Sequence, residues 1–142
     1  MTRQSEAERN ATMKSRTCIS SGSPFEKPIG FSRAVRTGDI IAVSGTAPLN
    51  EDGTTAHPGD LYEQTKRCLE IIIGAVTEAG GKAGDIIRTR VFLKNISKWE
   101  EAARAHGEVF GEIRPACTFV EVNRFIGDDW LVEIEADCCV GL

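Results

Sequence analysis

The alternation of residue types near the C-terminus constrains the fold more than any other feature of this 142-residue chain. Residues 132–136 read Val-Glu-Ile-Glu-Ala, so apolar and acidic residues alternate strictly. Successive side chains of a β-strand point to opposite faces of its sheet, and the segment therefore predicts a strand with one buried face and one charged face. Another layer of the fold has to cover the apolar face.

The order of the predicted elements indicates an α+β fold. Apolar runs bounded by turn residues predict strands, and two segments with helical spacing predict helices. Capping boxes of Asp60 with Glu63 and of Ser97 with Glu100 begin the two helices. The predicted elements are strands at 31–35 and 40–44, a helix at 60–79, a strand at 84–94, a helix at 97–111, and strands at 116–124 and 130–140. Both helices are expected on one face of a mixed sheet.

The other face of this sheet is predicted to carry both charges and aromatic rings. The alternation assigns to it Arg88, Arg90, Phe92, Cys117, Phe119, Glu121, Leu131, Glu133 and Glu135. A face in contact with water is more uniformly polar than this set. We therefore predict that the face is buried against other copies of the chain, in a homo-oligomer.

Composition and charge exclude several classes of protein. The net charge is −4 and the 17 Lys and Arg residues are scattered, which disfavours nucleic acid as a partner. The five Cys residues form no Cys-x-x-Cys motif, so neither a disulfide framework nor a zinc site is predicted, and the expected compartment is the cytoplasm. No segment approaches the roughly 18 apolar residues of a membrane span.

The chain is predicted to form one domain preceded by an arm. Residues 1–24 are polar and lack periodic apolar residues, which is typical of a flexible N-terminal arm. Residues 25–142 form the single domain, because the whole chain is close to the roughly 150 residues of one domain.

Six short motifs occur in order along residues 28–140. They are Ser44-Gly45 with Pro48, Gly84-Asp85-Ile86-Ile87, Val91-Phe92-Leu93-Lys94, Pro115-Ala116, Val120-Glu121-Val122 and Val132-Glu133-Ile134-Glu135-Ala136. In these motifs and their separations the chain resembles the reactive-intermediate deaminase superfamily, also called the Rid or YjgF family.

The resemblance implies a chorismate-mutase-like subunit in a homotrimer, whose sheets line a central barrel and whose ligand clefts lie between neighbouring subunits. The best-known members hydrolyse enamines and imines released by pyridoxal-phosphate enzymes, and the products are 2-keto acids and ammonia. These members require no metal or organic cofactor, and none is expected here.

The family's site residues are only partly retained. In those members a glutamate of the last strand positions or activates water, an arginine directly after Pro-Ala binds the substrate carboxylate, and a tyrosine lines the cleft. Glu133 stands at the glutamate position, whereas Cys117 replaces the arginine and Phe31 the tyrosine. A thiol provides neither the permanent charge nor the paired hydrogen bonds of a guanidinium. The chain thus resembles an arginine-lacking branch, and we expect near-background activity on ordinary imino acids.

Four further residues are considered for the cleft. The resemblance implies that Ser44 and Gly45 contribute a backbone N–H and a small side chain, and Phe119 is predicted on the cleft face. Arg114 lies three positions before Cys117, so in a regular strand it points to the opposite face. Only an irregular loop before Pro115 would bring Arg114 to the cleft as a replacement cation.

Simpler structural roles compete with the chemical ones. Both histidines are distant in sequence from Cys117, which favours a pocket-lining or buried thiol over a nucleophile. His106, on the predicted inner side of its helix, is expected to be packed and hydrogen-bonded. Glu133 is either a general base or an ion-pair partner across a subunit interface, for example of Arg88 or Arg90.

Two functions follow from these residues. The first is a trimeric hydrolase of a small imine, enamine or related acyl or carbamoyl compound, in which Glu133 orients water. The alternative is a non-catalytic trimer that binds or senses a small molecule. An endoribonuclease is disfavoured, because the chain has no basic stripe and no Ser/His/Lys constellation for cleaving phosphodiesters.

Overall fold

The computed structural model describes Ser5 and residues 16–141. The elements within this part of the chain are β1 (Arg16–Ile19), α1 (Glu26–Ile29), β2 (Ala34–Thr37), β3 (Ile40–Thr46), α2 (Leu61–Glu78), β4 (Ile86–Leu93), α3 (Trp99–Phe110), β5 (Ala116–Glu121) and β6 (Val132–Cys139). One sheet contains the strands in the order β1-β2-β3-β6-β4-β5. The β4–β5 pair is parallel and the other pairs are antiparallel. The predicted α+β fold with a mixed sheet is confirmed.

The two long helices cover one face of this sheet, as predicted. In β6 the buried residues are Val132, Ile134, Ala136 and Cys138, and the residues between them are half-buried. The buried set forms one core with Leu69 and Ile72 of α2 and Phe110 of α3. Burial of each large aliphatic side chain contributes about 1.5–3 kcal/mol, so this core holds the helices on the sheet. None of the helices in the described residues is long and apolar enough to cross a membrane.

The first strand lies inside the segment predicted to be a flexible arm. β1 pairs with β2, where Ile19 stands opposite Ala34, and Ile19 is buried in the core. The rest of the predicted arm, residues 1–4 and 6–15, lies outside the described residues apart from Ser5. The sheet therefore begins before the predicted domain start at residue 25. The sequence pattern did not predict this strand because only Ile19 is buried in β1, and a single buried residue gives no alternation. An edge strand can pair with its neighbour while burying so little.

The second predicted capping box is wrong. Asn95 caps a short 3-10 turn over Ile96–Lys98 by accepting a hydrogen bond from the Ser97 N–H at 3.0 Å. The helix then begins at Trp99, so its buried side differs from the predicted one and Trp99 is 48% exposed. The buried residues of α3 are Ala102, Ala105, His106 and Phe110.

The face predicted for β5 is also wrong. In the parallel register Cys117 stands opposite Thr89 and Phe119 opposite Val91. Thr89 and Val91 are buried under the helices, so Cys117 and Phe119 point to the helix side, whereas Val120 is 39% exposed. Alternation shows which residues share a face but not which face is buried. Val120 and Phe119 point to opposite faces and are both apolar, so the pattern suits either face. The aromatic side chains of α3 decide between them, because they offer a packing partner to Phe119.

An irregularity at the end of β3 shapes the region around the predicted site. The pairing of β3 with β6 shifts between Val43 and Thr46, so the backbone of Ser44 and Gly45 leaves the regular ladder. β2 begins at Ala34, and Phe31 lies before the strand rather than at its predicted start.

Candidate functional site

A cavity of about 690 Å³ lies at the irregular end of β3. The segment after β1, the end of β3 and the exposed side of β6 contribute to its lining. Four predicted site residues line it: Phe31, Ser44, Gly45 and Glu133. Its volume is in the range of small-molecule sites.

Glu133 supplies a carboxylate to the cavity. It follows the buried Val132 in β6 and stands opposite Phe92 of β4, so it points away from the helices. Burial raises the pKa of the Glu133 carboxyl, and the nearby Arg33 guanidinium offsets only part of this effect. A carboxylate with a raised pKa is a stronger base than an ordinary one, which favours acceptance of a proton from water.

Among the described residues, Arg88 and Arg90 of the same chain form no ion pair with Glu133. Arg90 instead lies 3.5 Å from Glu135 and 3.2 Å from Asp137, both on the same side of β6. The predicted ion pair of Glu133 with an arginine of a neighbouring subunit stays a prediction, because these contacts all lie within one chain.

Gly45 allows the Glu133 carboxylate to approach the backbone. A Cβ placed on Gly45 would lie 2.9 Å from Oε1 and 3.3 Å from Cδ of Glu133. Ser44 lines the same cavity, but its hydroxyl donates a hydrogen bond to the Ser32 carbonyl at 2.6 Å. The contribution of Gly45 is thus the space that its missing side chain leaves.

The cavity also contains a cation, Arg33, that the sequence patterns did not indicate. Arg33 lines it and is only 5% exposed. Its Nη1 donates to the Gly45 carbonyl at 2.6 Å and to Thr46 Oγ1 at 3.0 Å, and its guanidinium carbon lies 5.2 Å from the centroid of the Phe31 ring. The sequence offered one signal for this site: Arg33 is a charged residue directly before the apolar start of β2, where its neighbour Ala34 is buried.

The segment predicted to be flexible holds Arg33 in place. Arg33 Nε donates to Ser21 Oγ at 3.3 Å, and the Ser21 hydroxyl donates to Glu26 Oε2 at 3.1 Å. The same carboxylate oxygen accepts from the Ser23 N–H at 2.9 Å. The buried Glu26 carboxylate thereby provides a negative charge that offsets the effect of burial on the pKa of Arg33.

Cys117, Phe119 and Arg114 do not line the cavity. Cys117 and Phe119 lie on the edge strand β5, on the opposite face of the sheet from Glu133. Arg114 lies in an irregular loop with φ of 54°, but its side chain is exposed and is absent from the cavity lining. In a single chain the predicted site residues therefore lie in two separate places. Phe31, Ser44, Gly45 and Glu133 line the cavity, whereas Cys117 and Phe119 lie on the other face of the sheet.

Cys117 and Phe119 lie beside His106, although His106 is distant from Cys117 in sequence. Cys117 Sγ lies 3.7 Å from His106 Nε2, and Thr89 Oγ1 lies 2.8 Å from the same nitrogen. The His106 ring also packs against Phe110 and Phe119, as expected for a packed and hydrogen-bonded histidine. Burial lowers the pKa of His106, which favours the neutral ring at pH 7.

The two groups differ in what they can do chemically. The cavity combines a carboxylate that can handle a proton with a buried guanidinium that can attract an anion. The β5 edge offers a thiol beside an imidazole. The described residues contain no group of three or more His, Cys, Asp or Glu residues that could hold a metal ion.

Comparison with known families identifies one match over nearly the whole domain. Residues 25–140 match the family model for endoribonuclease L-PSP. A RutC family protein of Pyrococcus abyssi is 38% identical over 111 residues, which are 78% of this chain and 87% of that protein. The 3-aminoacrylate deaminase RutC of Acinetobacter baylyi is 34% identical over 101 residues, which are 71% of this chain and 79% of that protein.

Solved structures agree with this match. A Mycobacterium tuberculosis member of the YjgF/YER057c/UK114 family superposes with a TM-score of 0.81 at 42% identity, covering 89% of this chain and all of that one. The YjgF gene product of Escherichia coli superposes with a TM-score of 0.74 at 31% identity, covering 87% and 97%.

Proposed function

The chain belongs to the endoribonuclease L-PSP family, also known as the Rid or YjgF family, and on this premise we propose that it hydrolyses the C–N bond of a small enamine or imine. The observation that carries the proposal is the half-buried Glu133 carboxylate, held against Gly45 in a cavity of about 690 Å³. A relative of this chain is a deaminase of 3-aminoacrylate, which is an enamine.

In the proposed reaction Glu133 acts on water. An enamine first becomes an imine by transfer of one proton from its nitrogen to its carbon. The Glu133 carboxylate then accepts a proton from water as the oxygen adds to the carbon of the C=N bond, and it returns this proton to the nitrogen to give a carbinolamine. A second proton then passes from the hydroxyl group of the carbinolamine through the carboxylate to the nitrogen as the C–N bond breaks, so ammonia leaves and a carbonyl compound remains. The raised pKa of Glu133 favours the acceptance of a proton from water, because a carboxylate with a higher pKa is a stronger base. Glu133 returns each proton that it accepts, so the carboxylate is regenerated and one water molecule is consumed for each ammonia released.

We further propose that the working site forms between copies in a homotrimer. Glu133 and Cys117 lie on opposite faces of one sheet, so one chain cannot bring both to one substrate. β5 is an edge strand, and most of its residues are exposed. A neighbouring copy placed along this edge would carry Cys117 and Phe119 to the cavity of the next chain, which agrees with the clefts implied by the family resemblance.

The decisive assay measures ammonia release from an enamine generated in place, such as 3-aminoacrylate. We expect Glu133→Gln to abolish release above the spontaneous rate. Asp137→Asn is the matched control, because Asp137 lies on the same side of the same strand but pairs with Arg90 and is absent from the cavity lining. Equal rates for the wild type and Glu133→Gln would reject Glu133 as the catalytic residue.

The absence of the family's arginine leads to a second test. Ordinary 2-imino acids are expected to react near background in the wild type, because Cys117 offers no fork of hydrogen bonds to their carboxylate. Cys117→Arg should raise this rate. Since Cys117 is remote from Glu133 within one chain, a gain would also support completion of the cavity by another copy.

Assembly can be measured independently of activity. Sedimentation at micromolar concentration should give a mass of three chains of 15.4 kDa each. A mass of one chain would reject the trimer. If the trimer forms and no C–N bond is cleaved, the alternative function of small-molecule binding or sensing is favoured. Cleavage of RNA that disappears on repurification would identify contamination rather than an endoribonuclease.

A further inference from the structure

Arg33 has hydrogen-bonding capacity that its structural contacts leave unused. Nε donates to Ser21 Oγ, and Nη1 donates to the Gly45 carbonyl and to Thr46 Oγ1. A guanidinium has five N–H donors, and the two on Nη2 have no hydrogen-bond acceptor among the described residues. Among the described residues only Asp85 Oδ1 is a fully buried polar side-chain atom without a partner, so the unpartnered Nη2 is accessible and can donate to a ligand or water.

The unused donors belong to the cavity that contains Glu133. Arg33 and Glu133 both line it, and each charge shifts the pKa of the other group. Yet within the described structure no nitrogen of Arg33 comes within 4.0 Å of a Glu133 oxygen. The two groups are thus near enough to act on one small molecule and too far apart to neutralise each other directly.

We propose that Arg33 Nη2 is the anion-binding group of this cavity and that the ligand is a small molecule carrying a carboxylate. This inference rests on the proposed function for the position of the reacting C–N bond at Glu133. The carboxylate of the ligand lies at Arg33. Cys117, which occupies the position of the family's arginine, lies on a different element. The chain therefore binds acids through Arg33, directly before β2, rather than through β5.

The geometry also limits the kind of contact. Because Nε and Nη1 are already used, Arg33 cannot offer the parallel pair of hydrogen bonds that a free guanidinium gives to a carboxylate. One nitrogen serves the ligand, and the Phe31 ring 5.2 Å from the guanidinium carbon limits movement of the group. Binding is accordingly selective for a carboxylate over its uncharged amide but weaker than at a forked site.

The experiment compares binding of pyruvate with that of its uncharged analogue pyruvamide by isothermal titration calorimetry. We expect the wild type to bind pyruvate about 10- to 100-fold more tightly, as for loss of one hydrogen bond to a charged group. Arg33→Gln should remove this preference. Arg36→Gln is the matched control, since Arg36 also donates to backbone carbonyls, those of Gly38 and Ala79, but lies outside the cavity lining.

The outcomes separate a binding role from a purely structural one. Equal affinities of the wild type for the two compounds would overturn the proposal, as would a folded Arg33→Gln protein that keeps the preference. If Arg33→Gln does not fold, Arg33→Lys decides: reduced affinity for pyruvate with a retained preference supports the proposal, and wild-type affinity for pyruvate rejects it.

The same measurements distinguish this inference from the proposed function. Ammonia release by a wild type that shows no preference for carboxylates would reject the role of Arg33 alone. Carboxylate binding that depends on Arg33, without ammonia release, would reject the hydrolase and leave the anion site intact.

Discussion

Gly45→Ala is the most direct test of how the backbone positions Glu133. The backbone of Gly45 lies outside the left-handed region, so alanine introduces no strain of its own. The new Cβ would lie 2.9 Å from Oε1 and 3.3 Å from Cδ of Glu133. Relaxed non-bonded contacts of carbon are about 3.5–4.0 Å, so the carboxylate has to retreat by about half an ångström.

This displacement should lower kcat while the protein stays folded. A misplacement of about 1 Å can cost about 100-fold in rate, so half of that distance corresponds to about 10-fold in ammonia release. Stability should change little, because the clash involves the end of a side chain rather than backbone. Steady-state kinetics and a thermal melt measure the two quantities.

Gly107→Ala provides the matched glycine substitution. A Cβ at this exposed position in α3 meets no atom within 4 Å, and alanine in a helix interior is expected to stabilise by about 0.5–1 kcal/mol. Its kcat should equal that of the wild type. A folded Gly45→Ala protein with wild-type kcat would refute the argument that the approach of Glu133 to the backbone positions the reaction.

Three further predictions concern stability. Burial raises the pKa of Glu133 above its ordinary 4.5, so its ionisation destabilises the folded state above the folded-state pKa, and this penalty vanishes below the unfolded value. Glu133→Gln should therefore raise Tm near neutral pH, with a gain that shrinks towards about pH 4; a gain independent of pH would contradict this cause. Thr89→Val removes the buried hydroxyl 2.8 Å from His106 Nε2 and should lower the free energy of unfolding by about 1–3 kcal/mol in urea titrations; an unchanged value would indicate that this contact contributes nothing. Ile72→Ala, in the fully buried part of α2, should cost about 2–5 kcal/mol, whereas Ile126→Ala at a 69% exposed position should stay within about 0.5 kcal/mol, and similar losses at both sites would be inconsistent with the described core.

Local patterns predicted most of the elements, and the family resemblance indicated several residues of the cavity. The alternation of residues 132–136 correctly placed Glu133 opposite the helix face, and the capping pattern correctly placed the start of α2 at Asp60. Phe31, Ser44 and Gly45, suggested by the family resemblance, do line a cavity with Glu133. Their function in that cavity remains a prediction.

Contacts between distant segments were beyond the reach of these patterns. Cys117 and His106 are neighbours only because β5 pairs with β4 in one register while α3 crosses above them. Arg33 became part of the site through contacts with Ser21 on one side and Thr46 on the other. Neither contact has a periodic signature along the chain.

The sequence by itself determined the α+β class, the positions of most strands and helices, and the two-faced character of β6, because periodicity and capping depend on residues within one or two turns. The tertiary structure alone decided which face of β5 meets the helices, which cation shares the cavity with Glu133, and that Cys117 lies elsewhere. Those outcomes depend on strand register and on packing between segments far apart in sequence, where several apolar residues are equally suitable and only the assembled neighbours distinguish them.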